Sequence, residues 1–284
     1  MRFSQKTADI FVPDGSPIQT ALTRTTHMVI AAHQDDIEIM AAAPILECYQ
    51  RPDKWFTGVV VTDGRGSPRA NVYAGFTDEQ MHDVRMEEQR KAATVGDYSA
   101  QVLLDIPSKV VKDAANEGPV KDLAELLRAC RPQTLWTHNL ADKHDTHVSV
   151  VLRVIDALRQ LPADELPKQV IGCEVWRGLD WMPDADKIVM DLTGGENLQN
   201  ALLGVFDSQI AGGKRYDLGS MGRRRANATY LESHEVDKVD AASLGMDLTP
   251  LIHDRSLDPA DYVDRYIERF HADVRERLRK FSGI

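Results

Sequence analysis

The chain has 284 residues, with hydrophobic and charged fractions of 43% and 27%, which are ordinary for a globular protein. Its net charge of −10 argues against nucleic acid or an anionic membrane as the main partner. The three cysteines are isolated and form no CxxC pair, so neither a disulfide framework nor a thiolate metal site is indicated. No apolar run reaches membrane-spanning length and the N-terminus has no apolar leader, so we expect a cytoplasmic protein.

Apolar strand-like runs alternate with amphipathic segments through the first two thirds of the chain. Strands are predicted at Met28–Ala32, Phe56–Thr62, Gln101–Ile106 and Thr134–His138. Helices are predicted between and after them, near 38–50, 78–95, 119–130 and 147–160. Such alternation is typical of a mostly parallel sheet with helices on both faces, in which ligands bind beyond the carboxyl ends of the strands.

The pattern weakens after about residue 160. Further strands are predicted at Glu174–Leu179 and Ile188–Leu192, and helices at Asn197–Gln209 and Pro259–Phe281. The Gly-, Ser- and Arg-rich segment 212–230 has no clear period and is interpreted as a loop. No repeat or linker divides the chain. We therefore expect one domain over residues 1–284, with an α/β core at about 25–210 and a C-terminal elaboration at about 211–284.

A polar cluster follows the first predicted strand directly. His33, Gln34, Asp35 and Asp36 come in succession after the apolar run. Two adjacent carboxylates repel each other, and neither tolerates burial without a partner. The cluster therefore indicates a positively charged group at the end of this strand.

A second polar cluster lies between the fourth predicted strand and its helix. It contains His138, Asp142, His144, Asp145 and His147. Asp145 is a candidate N-cap of the helix, and His147 would then point inward from the first turn, on the apolar side. His144 precedes the helix and can approach the same point from the loop.

The two clusters together favour a catalytic metal site. Zinc at such a site takes three ligands from His and Asp or Glu, which His33, one of the Asp35/Asp36 pair and His147 would supply. The other carboxylate could act as general base, and His144, if protonated, could donate to a developing oxyanion. Each motif alone is weak, because HxDD occurs in surface loops and a histidine at a helix start is often only a cap. The same ligand set also suits iron(II).

At these residues the sequence resembles the LmbE-like (PIG-L) family of zinc-dependent N-deacetylases. The family's AHPDDE-type motif reads AHQDDIE here, and its HPDH-type motif reads HDTH. Between them, VVVTDGRGS resembles the family's second strand and glycine loop, and VRMEEQRKAATVG resembles a family helix. The later segments VMDLTGGENLQNALLGVFDSQ and RRRANATYLESH resemble its closing elements, so the likeness extends from about residue 27 to 235.

The resemblance implies a role for each matching residue. His33, Asp36 and His147 would bind one zinc ion, and Asp35 would be the general base. His144 would stabilise the oxyanion or protonate the leaving amine. Arg85 aligns with an arginine that the family uses to hold substrate. The implied reaction removes an N-acetyl group from an N-acetylglucosamine-type sugar, on a Rossmann-like three-layer α/β/α fold.

The sequence departs from the family pattern at two places. Gln34 replaces the usual proline, which removes a fixed φ from the ligand-bearing turn, although glutamine can adopt the same conformation. The HDTH motif lacks the aspartate directly before its second histidine. Either Asp142 or Asp145 could replace that aspartate in supporting His144.

Other residues are weaker candidates for contact with substrate. Asp63 and Arg65 in the glycine loop could reach sugar hydroxyls, although a simple turn is about as good an interpretation. Trp176 could stack on a pyranose ring, although tryptophans are more often core residues. The run Arg223–Arg225 is typical of a solvated face, and could instead bind an anionic part of the substrate.

The sequence therefore predicts a hydrolase whose partner is a small amino-sugar conjugate, with neither nucleic acid nor membrane as a partner. It leaves the sugar, the aglycone and a homo-oligomeric state open. Two alternatives remain: a metal-dependent amidase of a larger acyl group, and a non-catalytic sugar-binding or scaffolding protein on the same fold. The second alternative is disfavoured because the chain retains every residue of the proposed catalytic set, namely His33, Asp35, Asp36, His144 and His147.

Overall fold

The computed structural model describes residues 1–283, and its strands form one eight-stranded sheet. The strands are β1 Asp9–Phe11, β2 His27–Ala31, β3 Phe56–Thr62, β4 Ala100–Ile106, β5 Thr134–His138, β6 Gln169–Cys173, β7 Lys187–Asp191 and β8 Ala242–Asp247. Their order is β1-β4-β3-β2-β5-β6-β8-β7. Strands β2 to β6 run parallel, whereas β1 and β8 pair antiparallel with their neighbours. The predicted mostly parallel sheet is confirmed.

Twelve α-helices accompany the sheet within the described residues. They are α1 Ile18–Thr23, α2 Asp36–Met40, α3 Ala42–Cys48, α4 Asp78–Val95, α5 Ser108–Lys112, α6 Gly118–Cys130, α7 Asp145–Arg159, α8 Glu196–Gly204, α9 Asp207–Ile210, α10 Tyr216–Thr229, α11 Thr249–His253 and α12 Pro259–Ser282. None of these helices is both long enough and apolar enough to cross a membrane.

Two hydrophobic clusters show that helices cover both faces of the sheet. Alternate side chains of β2 point to opposite faces: Met28 and Ile30 enter one cluster, and Val29 and Ala31 the other. The first cluster is completed by helices such as α6 and α7, and the second by α2, α3, α4 and α8. A strand buried on both faces must be apolar throughout, which explains the continuous apolar run that predicted β2.

Most elements of the first two thirds lie where the sequence predicts them. Strands β3 and β5 and helix α4 have the predicted bounds. The helix expected near 38–50 is broken at Ala41, where φ is −120°, so α2 and α3 are separate. The helix expected at Asn197–Gln209 is likewise divided into α8 and α9.

The strand predicted at Glu174–Leu179 is wrong. Strand β6 ends at Cys173, and the residues after it form a loop. The Glu174 carboxylate holds this loop by accepting hydrogen bonds from the backbone N–H of Leu179 and Leu244 and from the Asn227 amide. The apolar residues of the segment are therefore buried by a side-chain anchor and not by a strand ladder.

The loop predicted at 212–230 is also wrong, because most of it is helix α10. The helix is fixed by Arg224, which is only 2% exposed. Its guanidinium donates to Gln199 Oε1 and to the carbonyl oxygens of Glu38 and Ile39. The segment contains many glycines and arginines, so its apolar residues do not recur at helical spacing in the sequence. The helix is held by tertiary hydrogen bonds of Arg224 where other helices have an apolar face.

The order of strands creates a switch point between β2 and β5. From β2 the chain continues to β3 on one side, while β5 pairs with β2 on the other side. The two polar clusters follow these neighbouring strands, so both reach the same edge of the sheet. Sheets of this kind bind ligands at such a crevice. The C-terminal segment contributes β8 to the sheet itself, between β6 and β7.

A buried polar network supports the turn after β2 from below. Glu38 Oε1 accepts hydrogen bonds from Tyr98 and from Gln89, and Gln89 Oε1 accepts one from the backbone N–H of Asp35. Glu38 is 1% exposed, and its Oε2 has no partner among the described residues. Burial raises the pKa of Glu38 to about 8, although its hydrogen bonds from Tyr98 and Gln89 oppose this.

We expect Glu38→Gln to make the protein less sensitive to alkaline pH. Because the folded-state pKa of Glu38 lies above its unfolded value of 4.5, folding takes up a proton, and stability falls as pH rises from about 4.5 to about 8. The loss is at most about 1.4 kcal/mol per pH unit in this window. Urea unfolding with EDTA at pH 5.5 and pH 8.5 should show a larger loss for the wild type than for Glu38→Gln.

The exposed Glu87→Gln is the matched control and should lose as much stability as the wild type. Equal losses in all three proteins would contradict a protonated Glu38.

Candidate metal centre and active-site cavity

The turn after β2 presents two candidate ligands at fixed positions. Asp36 is the first residue of α2, and its Oδ2 accepts a hydrogen bond of 2.8 Å from the backbone N–H of His33. Asp35 lies between them with φ of 84°, a left-handed conformation that is costly for a residue with a side chain. The turn thus directs Asp35 and Asp36 to different partners, although they are neighbours in sequence.

Gln34, which replaces the expected proline, is fully buried and contacts the glycine loop. Its Nε2 donates to the carbonyl oxygen of Thr62 over 3.3 Å. Gly64 has φ of +66°, and a Cβ at this position would lie 2.4 Å from Gln34 Oε1. The first glycine of TDGRGS is therefore required by the close approach of Gln34 as well as by its own backbone conformation.

The second polar cluster, which lies between β5 and α7, is organised by Asp142. Helix α7 begins at Asp145, which is exposed, and its N-cap is His144 without a side-chain hydrogen bond. The prediction that Asp145 caps the helix is wrong. Asp142 instead accepts from the backbone N–H of Lys143 and His144 through Oδ1, and its Oδ2 lies 3.2 Å from His147 Nδ1.

Three side-chain atoms from the two clusters form a regular triangle. His33 Nδ1, Asp36 Oδ2 and His147 Nε2 are each 3.2 Å from the other two. A tetrahedral zinc ion with bonds of about 2.0–2.1 Å needs ligand atoms about 3.3 Å apart. The triangle therefore has the dimensions of one face of a zinc coordination tetrahedron, and these three residues would hold the ion.

The charges of this group are arranged to hold a cation. Burial alone would raise the pKa of Asp36, but His147 and His33 hold it well below its usual range. Burial lowers the pKa of His147, but Asp36 and Asp142 together raise it to about 9. Asp36 and Asp142 thus favour the protonated form of His147, whereas a metal ion bound through Nε2 would require this histidine to be neutral.

A second combination of possible ligands consists of His138, Asp142 and His147. Two of its nitrogens already have partners. His138 Nε2 accepts a hydrogen bond from the backbone N–H of Ala32, and His147 Nδ1 faces Asp142. Metal-binding histidines usually donate their second N–H to a carboxylate, and Asp142 has this position. The set of His33, Asp36 and His147 is therefore the better metal site.

Asp35 is paired with Arg85 beside the metal set. The Arg85 guanidinium is 2% exposed; one nitrogen lies 3.1 Å from Asp35 Oδ2, and another donates to the carbonyl oxygen of Gln34. Burial raises the pKa of Asp35 to about 7, against the lowering effect of Arg85 and with a further increase from Asp36. A carboxylate with this pKa can accept and return a proton near neutral pH.

His144 lies on the other side of the metal set with its ring against Trp176. The two ring centroids are 6.1 Å apart and their planes differ by 20°. Burial lowers the pKa of His144 to about 4, and His147 and His33 lower it further. A neutral His144 still carries one N–H donor. Neither Asp142 nor Asp145 contacts its ring; Asp142 supports His147 instead.

A cavity of about 380 Å³ opens in front of these residues. Apart from Trp176, six of the predicted site residues line it: His33, Asp35, Asp36, Asp63, Arg85 and His144. Trp176 also lines the cavity, and His147 lies buried behind it. Arg65 does not line the cavity, since its guanidinium is directed to Asp63 and Asp105 at 3.5 and 3.4 Å.

The residues that line the cavity but were not singled out from the sequence include Tyr216, Lys214 and Lys112. Tyr216 lies at the start of α10 in T-shaped contact with Trp176, with ring centroids 6.1 Å apart. The Lys214 ammonium lies 4.9 Å from the centre of the Trp176 ring, and Lys112 approaches from the end of α5. In the sequence, Lys214 and Tyr216 could have been recognised from the run GGKRY, which combines basic residues with an aromatic one. They were not singled out because the segment 212–230 was interpreted as a loop. The run Arg223–Arg225 lies on the same helix.

Solved structures with similar folds are known. A conserved protein from Thermus thermophilus is 18% identical, with a TM-score of 0.62 over 80% of this chain and 95% of that one. GalB, the 4-carboxy-2-hydroxymuconate hydratase of Pseudomonas putida, is 18% identical, with a TM-score of 0.61 over 80% and 97%. The N,N′-diacetylchitobiose deacetylase of Pyrococcus horikoshii is 14% identical, with a TM-score of 0.62 over 81% and 86%. At these identities the likeness is one of fold.

Comparison with curated protein sequences gives no significant match. Comparison with protein families matches residues 28–158 to PIG-L, described as GlcNAc-PI de-N-acetylase. This range contains both polar clusters, and the match confirms the resemblance seen in their motifs. Over residues 28–158, this chain is thus similar to the PIG-L (LmbE-like) family.

Proposed function

We propose that the protein is a zinc-dependent hydrolase that removes an N-acetyl group from an N-acetylglucosamine-type amino sugar or its conjugate. The observation that carries this proposal is the 3.2 Å triangle of His33, Asp36 and His147 at the edge of a cavity that also holds Asp35 and His144. The de-N-acetylase description of the matched family supports the reaction class.

The donor set fits one zinc ion per chain. His33, Asp36 and His147 would hold the ion, and Asp142 would fix the ring of His147 through Nδ1. When bound, zinc supplies Lewis-acid activation of water and of a carbonyl oxygen. Two histidines and one carboxylate also accept iron(II), so metal analysis has to distinguish the two ions.

Asp35 is placed to act as general base. Its carboxylate lines the cavity beside the metal set and is oriented by Arg85. In the proposed reaction, Asp35 accepts a proton from the attacking water. It then donates this proton to the leaving nitrogen. Arg85 donates hydrogen bonds to Asp35 and to the carbonyl oxygen of Gln34, so it orients the base directly. Arg85 also lines the cavity, and a contact with substrate would be made from that side.

His144 is placed to donate a hydrogen bond to the reacting group. Its Nδ1 is buried without a partner among residues 1–283, and the ring is held flat against Trp176. With the pKa lowered, its contribution is an N–H from a neutral imidazole, directed to the developing oxyanion or to the leaving amine.

The cavity walls suit a polar small molecule. Asp63 offers a carboxylate for hydroxyl groups, and Trp176 offers an aromatic ring beside them. Lys112 and Lys214 place two ammonium groups at the same cavity of an otherwise acidic protein. We therefore propose an amino-sugar conjugate as substrate, with Asp63 and Trp176 as contacts.

Asp35→Asn tests the base. We expect metal content to remain at about one ion per chain, while acetate release from N-acetylglucosamine conjugates falls by about 10²–10⁴-fold, the usual contribution of general acid–base catalysis. The amide should still accept from Arg85, so the fold should be kept. Metal analysis and an acetate assay on the same preparations provide the measurement.

Asp63→Asn is the matched control, because it removes a carboxylate from the same cavity but not one beside the metal set. Its acetate release should stay within about tenfold of the wild type, since an amide still binds hydroxyl groups. Metal with no acetate release from any conjugate in the wild type would contradict the deacetylase and favour the sugar-binding alternative. Protein that takes up no metal would contradict the whole site.

Asp142→Asn tests the support of the metal ligand. Loss of the carboxylate on His147 Nδ1 should weaken zinc affinity by about 10–100-fold, as measured by competition with a chelator. Asp145→Asn changes an exposed aspartate three residues away and should leave the affinity unchanged. Equal affinities of the two variants would show that Asp142 does not support His147.

A further inference from the structure

A second chamber of about 160 Å³ adjoins the metal site. Asp36, Trp176 and Tyr216 line both this chamber and the larger cavity, so the two spaces meet at a candidate metal ligand. The new walls come from Ile39 of α2, from Val175, and from one face of α10. The chamber therefore begins beside the candidate metal site.

Several polar side chains of its walls are already hydrogen-bonded within the protein. Arg224 donates to Gln199 and to two carbonyl oxygens, and Arg223 donates to the carbonyl oxygen of Val175. Glu174 accepts from two backbone N–H groups and from Asn227. Among residues 1–283, the one buried polar side-chain atom of the lining without a partner is Ser243 Oγ. A ligand in this chamber therefore meets mainly apolar contacts.

We propose that this chamber holds the acyl chain of the substrate, so that the enzyme accepts apolar acyl groups of about four to six carbons in addition to acetyl. This inference rests on the proposed amide hydrolysis. The two substituents of the scissile amide have different surroundings: the polar open cavity suits the hydroxylated amine, and the chamber suits the alkyl chain.

The reaction is the same hydrolysis with a longer acyl group. The oxygen of water bonds to the acyl carbon, the carbon–nitrogen bond breaks, and the nitrogen leaves with a proton. The products are a carboxylate and a free amine. No oxidant or further reactant is needed.

The volume of the chamber sets the length of the chain. An engineered cavity of about 150 Å³ holds a benzene molecule, that is, six carbons. Burial of one methylene group is worth about 0.8 kcal/mol, which corresponds to roughly fourfold in binding or in kcat/KM. A hexanoyl group should therefore gain substantially over acetyl until the chamber is full.

Helix α10 offers a matched pair of glycines for the test. Gly219 lines the chamber, whereas Gly222 on the same helix does not. A Cβ at either position would have no heavy atom within 4 Å, so both helix positions have room for the start of a leucine side chain. Leucine also has a higher helix propensity than glycine, so neither variant should unfold the helix.

The experiment compares amides of one amino sugar that carry acetyl, butyryl or hexanoyl groups, with metal-loaded protein. In parallel, binding of acetate and hexanoate is measured by calorimetry. We expect wild type and Gly222→Leu to favour hexanoyl and hexanoate. In Gly219→Leu, the ratio of hexanoyl to acetyl kcat/KM and the ratio of the two affinities should each fall at least tenfold.

Equal changes for acetyl and hexanoyl in Gly219→Leu, or a wild type without chain-length dependence in binding, would overturn the acyl assignment. So would sensitivity of Gly219→Leu to the size of the amine instead of the acyl group. Hexanoate binding that is lost only in Gly219→Leu, with no amide hydrolysed, would support the chamber while contradicting the proposed hydrolase.

Discussion

The rest of the site depends on how the negative charges of Asp35 and Asp36 are neutralised. Both carboxylates are at least 95% buried at the end of a strand, where neither could remain ionised alone. The left-handed backbone of Asp35 turns them apart, so that Asp35 meets Arg85 while Asp36 meets the imidazoles of His33 and His147. One carboxylate is thus held by a fixed cation and can exchange a proton. The other faces two imidazoles, which can hold either a proton or a metal ion.

The topology of the sheet brings these groups together. Strands β2 and β5 are neighbours on opposite sides of the switch point, so the residues that follow them share one crevice. Below it, Gln89 links the backbone of Asp35 to Glu38 and Tyr98. Buried polar groups of this kind specify one geometry only when they are satisfied together. The strained turn is therefore held from the sheet side by hydrogen bonds and from the cavity side by Arg85.

The sequence was informative where one local pattern determines the structure. The apolar run of β2 and the histidines and carboxylates that follow it located the sheet edge and the cavity residues around His33. It was uninformative where distant side chains decide. No local signal shows that Asp142, and not Asp145, would face His147, because both lie within reach along the chain. Likewise, Arg65 and Asp63 are neighbours in sequence, but only Asp63 reaches the cavity, because Asp105 pairs with Arg65.

Helix α10, which was the hardest element to predict from the sequence, forms one wall of the chamber beside the candidate metal site. Its period is hidden by glycine and arginine, and its position depends on Arg224, whose guanidinium binds the carbonyl oxygens of Glu38 and Ile39. These carbonyls belong to α2, the helix that begins with Asp36. The wall of the chamber is thus hydrogen-bonded directly to the element that presents a candidate metal ligand. A change in α10 would therefore alter the space beside Asp36, whereas His33 after β2 and His147 in α7 are held by other elements.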